Sequence, residues 1–232
     1  MLRTGIAVGT ALIVTCAFGV TPAHAARLTV KGTGFRLATR LGVTSVSPSR
    51  QYTVTFASAE LKRRYTPHLT AAVAQLRAAG VTMSVGGVER TDPSVCPPTG
   101  HIHYTEKYRP AGRGGYSLGR PCPDPAEGVA AGGVVTMDSE YHDGTWHIAP
   151  YQVRNTSVHE MLHVLGLDHP NLDLDGDGAA GPYECPAGPG GTRPVMCSPN
   201  GGHRTAGAGR LTGFDIEGIE ALLANARRQG VG

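Results

Sequence analysis

One short run carries most of the chemistry: His159-Glu160-Met161-Leu162-His163, followed by Gly166 and His169. On a helix, residues four apart share a face and stand about 6 Å apart along the axis, so the His159 and His163 imidazoles can reach one metal ion. Gly166 tolerates left-handed backbone and can end the helix. The chain can then turn back and offer His169 as a third ligand, with Asp168 beside it as an alternative. Three protein ligands leave the fourth position of a zinc ion open to water, which is the catalytic rather than the structural arrangement. Glu160, next to the first ligand, is placed to accept a proton from that water, a base that a structural zinc would not need. The five fixed residues arise by chance roughly once in ten thousand chains of this composition, and the pattern is one tied to zinc hydrolysis.

A second run, Asp173, Asp175, Asp177 and Gly178 with Glu184 at the twelfth position, fits a calcium loop: oxygens at alternate positions, glycine for the turn, a terminal glutamate. Ala180 stands where a larger aliphatic residue is usual, and Cys185-Pro186 follows in place of a helix. The expectation is therefore a calcium loop outside an EF-hand, against the plainer reading of a solvated acidic turn. Gly115-Tyr116-Ser117-Leu118-Gly119 fits the serine-hydrolase elbow, but the prolines at 121 and 123 forbid the helix that an elbow requires. His101 and His103 alternate on one strand face and could hold a second metal, although such pairs are more often plain surface residues. His142 and His147 have no evident companions.

The long histidine pattern resembles that of the metzincin zinc endopeptidases, in which a methionine-containing turn follows it. Met196, in Pro194-Val195-Met196-Cys197, stands 27 residues beyond His169 and matches that turn. The resemblance is tight over residues 159–196 and loose over the rest. By size and by the Val-Leu-Gly-Leu run, the chain is most similar to small secreted bacterial proteases of the snapalysin type. Those use Asp as third ligand, whereas His169 occupies that position here, as in matrixin-like proteases. The resemblance implies an α+β fold: a twisted mixed sheet with two helices, an active-site helix, a Met-turn and a C-terminal helix. It also implies an extended substrate lying along an edge strand, which the sequence places at 134–137.

The elements that must position these groups are legible in outline. Tyr52 to Phe56 alternates as a strand, and Leu61, Tyr65, Leu69, Val73 and Leu76 recur at helical spacing over 61–79. Strands are expected at 81–85, at 101–104 and, as an edge, at 134–137, with a long loop over 109–133. A helix starting near Pro150, a residue suited to the first helical position, runs to Leu165. The stretch 166–202 reads as irregular, and a last helix spans 213–227.

Composition sets the limits. The chain has 232 residues, 40% of them hydrophobic and 17% charged, which excludes intrinsic disorder and allows a sizeable core. The 18 Arg and 3 Lys are scattered and the net charge is only +3, so no nucleic-acid partner is expected. Residues 1–25, with Arg3, an apolar run and Ala23-His24-Ala25, read as a secretory signal peptide. Residues 26–50 read as a basic leader or short pro-segment, and 51–232 as the catalytic domain. The four cysteines beyond the signal suggest two disulfides, with Cys96–Cys122 and Cys185–Cys197 favoured because each closes a Gly/Pro-rich loop. The expected protein is a secreted, monomeric zinc endopeptidase acting on a protein or peptide, without stable membrane association. A metal-stabilised binding module and a zinc hydrolase of a non-peptide amide are the alternative readings.

Overall fold

The structure, a computed structural model, describes residues 27–232. The signal-peptide reading lies outside them. Among the described residues no helix is long and apolar enough to cross a membrane.

A five-stranded sheet forms the centre, in the order β3 (Met83–Val88), β2 (Tyr52–Phe56), β4 (His101–Lys107), β6 (Val129–Asp138), β5 (Leu118–Asp124). The first four run parallel and β5 runs antiparallel at one edge. The alternation seen in the sequence is physical: Tyr52, Val54 and Phe56 of β2 are fully buried, as are Ile102 and Tyr104 of β4. Two long helices bury their apolar stripes in the same core. Helix α1 (Ala59–Ala78) starts where the Ser58 hydroxyl accepts the Leu61 N–H, and its Leu61, Tyr65, Leu69, Val73 and Leu76 face inward. Helix α3 (Pro150–Leu165) begins on proline, with the Gln152 side chain accepting the Ala149 N–H. A single turn, α2 (Glu140–Asp143), precedes it, and α4 (Gly213–Gln229) closes the chain. Strap 89–100 is tied to the sheet by the Cys96–Cys122 disulfide and by the Arg120 guanidinium, which donates to the Pro93, Ser94 and Val95 carbonyls.

Two expectations change. The expected long loop over 109–133 contains β5 and the start of β6, with a register shift between Pro121 and Pro123. Proline is tolerated there because an edge strand needs only one side's hydrogen bonds. Consequently 134–137 is not an edge: β6 is flanked by β4 and β5.

Residues 27–50, set aside in the sequence as a leader, are packed into the same body. Phe35, Leu37, Val43 and Val46 are buried, and β1 (Arg36–Leu37) pairs with β7 (Leu167–Asp168) directly before His169. Asn225 of α4 stitches this segment down, accepting the Thr29 N–H and donating to the Thr29 and Thr44 carbonyls.

Candidate metal centre

Helix α3 carries His159, Glu160 and His163 into the core side of a cleft. It ends at Gly166, whose φ of 105° is left-handed, as the sequence reading requires. The turn is held by Ala38, whose N–H donates to the Gly166 carbonyl. β7 then delivers His169. Its Nε2 lies 3.0 Å from His159 Nε2 and 3.1 Å from His163 Nε2, so the three imidazoles meet at one point. Asp168 does not join them; its Oδ1 accepts the N–H of His169 and orients that residue.

The protonation of the two helix histidines follows from their partners. His159 Nδ1 is 2.8 Å from the Val195 carbonyl, and His163 Nδ1 is 2.8 Å from the Leu167 carbonyl. A carbonyl only accepts, so each Nδ1 carries the hydrogen and each Nε2 presents a lone pair. His169 can offer a proton to only one of them. Burial, first among the causes, holds all three imidazoles below their ordinary pKa: His163 at about 4, His159 well below the usual value. Three neutral, buried imidazoles with facing lone pairs repel unless a cation sits among them. Two nitrogens of a tetrahedral zinc at about 2.05 Å stand about 3.3 Å apart, close to the separations found. The donor set therefore fits zinc, with carbonyl partners fixing each ring from behind.

Glu160 is 6% exposed. Burial, only partly offset by the Gly119 N–H, pushes its carboxyl up to about 8. Gly119 of β5 lies hard against α3: a Cβ there would stand 2.2 Å from the Glu160 carbonyl oxygen. Any side chain at 119 would lever the edge strand away from the helix. Nothing in the sequence alone marks this glycine.

The floor is set by the turn containing Met196, which is 1% exposed. Asp215 of α4, fully enclosed, holds it: Oδ2 accepts from Val195 N–H and Oδ1 from Met196 N–H, while Thr212 donates through its backbone and hydroxyl to Oδ2. Burial pushes the Asp215 carboxyl up, and these donors pull the other way. Asp215 thus positions the Val195 carbonyl that orients His159. The Thr212-x-x-Asp215 pattern is a capping box, a signal present in the sequence but unremarked. The Cys185–Cys197 disulfide, as favoured, pins the far side of the turn.

The cleft, about 300 Å³, is lined beside the histidines by Leu41, Tyr116, Leu118, Tyr141 and Thr156. Leu41 belongs to the segment read as a leader. Loop 109–117, which forms one wall, is anchored on buried Asp138, whose carboxylate accepts the Arg109 and Gly115 N–H groups, and by an Arg109–Glu140 pair.

The other candidate groups behave differently. Asp173, Asp175 and Asp177 bring carboxylate oxygens within 4.8 Å of one another, all exposed. Glu184 is not in that group; its Oε1 accepts the Leu174 and Asp175 N–H groups and its Oε2 that of Gly181. His101 pairs with Glu89 at 2.7 Å and His103 with the Thr55 hydroxyl at 3.1 Å. They form no three-ligand group among the described residues. Ser117 lies in a strand-entry loop and bonds Tyr141 and the Asp138 N–H, with no histidine partner. The two disulfides accord with an oxidising compartment.

No family model and no curated protein matches the chain.

Proposed function

We propose that the protein is a secreted, zinc-dependent endopeptidase of the metzincin type, acting as a monomer on protein or peptide substrates. The observation that carries this reading is the convergence of three imidazoles, each neutral by burial, beside a buried carboxylate in an open cleft. His159, His163 and His169 hold the metal. When bound, zinc supplies a Lewis acid that lowers the pKa of a water to about 7. Glu160 accepts a proton at its carboxylate, keeps it within the buried wall of the cleft, and hands it to the leaving amine. The outer edge of β5 has no strand partner among the described residues, so it offers backbone carbonyl acceptors to an extended peptide. The substrate strand thus moves from 134–137, where the sequence puts it, to β5.

The test is digestion of an unfolded protein such as casein, with zinc content measured on the same sample. The expected result is one zinc per chain and cleavage that a zinc chelator abolishes and added zinc restores. Zinc without cleavage would favour a metal-stabilised binding module, and cleavage confined to non-peptide amides would favour the other hydrolase.

The reading extends to calcium in loop 173–184. Three exposed carboxylates crowded together repel, and a divalent cation relieves that. Loop and metal centre are linked, because Asn171 bonds the Gly181 carbonyl and both the N–H and carbonyl of Ser198, two residues past Met196. A calcium-selective chelator is expected to lower the melting temperature by several degrees with zinc still in place. An unchanged melting curve removes calcium from the account.

A further inference from the structure

The face of α3 that presents Glu160 continues toward the start of the helix through Thr156 and Gln152. The loop after Met196 lies along it: Asn200 donates to the Thr156 hydroxyl at 2.8 Å and to the Gln152 carbonyl at 3.4 Å. Thr156 lines the metal cleft, and Asn200 lines a second cavity of about 610 Å³ just beyond.

That cavity has one electrostatic character. Arg193, His203 and Arg204 line it with Tyr151 and Gln152, and no Asp or Glu does. Neither arginine makes an ion pair with the described residues. The Arg193 Nε is buried and has no hydrogen-bond partner, an uncommon condition for a donor. Tyr151 and Gln152 belong to the first turn of α3, where the helix dipole favours negative charge, although the Gln152 N–H is already given to the Ala149 carbonyl. Two guanidiniums without an ion-pair partner, an imidazole and a helix start, with no facing carboxylate, call for an anion.

Gln152 and Glu160 are eight residues apart on one helix, about 12 Å along the axis. An extended peptide advances about 3.3 Å per residue, so a few residues of substrate would span that distance. We propose that it binds a carboxylate of the peptide, from an acidic side chain or from the peptide's own C-terminus. The inference rests on the endopeptidase reading and adds a substrate class to it.

The test is calorimetry on zinc-loaded Glu160→Gln protein with blocked alanine-rich octapeptides carrying Glu or Gln at each position in turn. Shorter peptides are compared as free acids and as C-terminal amides. Expected is about tenfold tighter binding of Glu over Gln at one position, or of acid over amide, whichever source supplies the group. Arg193→Gln and Arg204→Gln should each cut that preference severalfold. Arg204 is exposed, so its variant keeps the test readable if Arg193→Gln fails to fold. Equal binding of every charged and neutral pair, or a preference surviving both substitutions, overturns the proposal. The two readings fail separately: charge-selective binding without any cleavage by wild-type protein sinks the peptidase alone, and cleavage without charge selectivity sinks this cavity's role alone.

Discussion

Glu160→Gln should leave zinc content at one per chain and reduce protein hydrolysis about a thousandfold, within the range that positioned acid–base groups contribute. The substitution keeps size and shape. Its amide oxygen can still accept the Gly119 N–H, so the close contact between β5 and α3 survives and the melting temperature should move little. What is lost is the ability to take and return a proton. Burial, opposed by the Gly119 N–H, puts the Glu160 pKa at about 8, and the positive charge of a metal in the adjoining site would draw it downward. Hydrolysis retained by a fully zinc-loaded variant would remove Glu160 from the mechanism.

Asp215→Ala should be the most damaging change away from the histidines. It strands the Val195, Met196 and Thr212 N–H groups in the interior. At about 1 kcal/mol or more for each buried donor left unpaired, the loss is at least about 3 kcal/mol. For a domain of this size that corresponds to a fall in melting temperature of about 10 °C. A second readout separates positioning from plain stability. The Val195 carbonyl would no longer be held behind His159, and loss of such outer support weakens metal binding about tenfold or more. Zinc affinity is therefore measured well below the melting temperature. Unaltered affinity in the folded variant would reduce Asp215 to a helix cap.

The meeting of His159, His163 and His169 was legible because its information is local. His159, Glu160 and His163 fall within one helical turn and a half, and the glycine that reverses the chain toward His169 is in the same run. The disulfide pairing was legible for a similar reason: each bridge closes a loop poor in core residues. Helices α1, α3 and α4 declared themselves through apolar spacing, and their ends fall within a few residues of expectation. Strand β5 did not. Its Leu-Gly-Arg-Pro-Cys-Pro-Asp sequence has neither alternation nor β-branched residues, and it is a strand only because β6 supplies a partner on one side. The same blindness misplaced the sheet edge, and with it the expected substrate strand. Gly119 and Asp215 act across the fold, and distance in sequence hides such roles. The packing of segment 27–50, which reads as a leader or short pro-segment without acidic residues, was not legible either: Phe35, Leu37, Val43 and Val46 are anchored in the core.

That anchoring dictates an order of events. Asn225 meets Thr29 across a separation of 196 positions, and β1 waits for β7 before the backbone beside His169 is fixed. Such distant pairings are formed late, because the intervening chain must first be gathered in. A ribosome releasing residues in sequence would hold the opening segment idle until nearly the whole polypeptide had emerged. The three-histidine cluster would then be among the last parts to be completed.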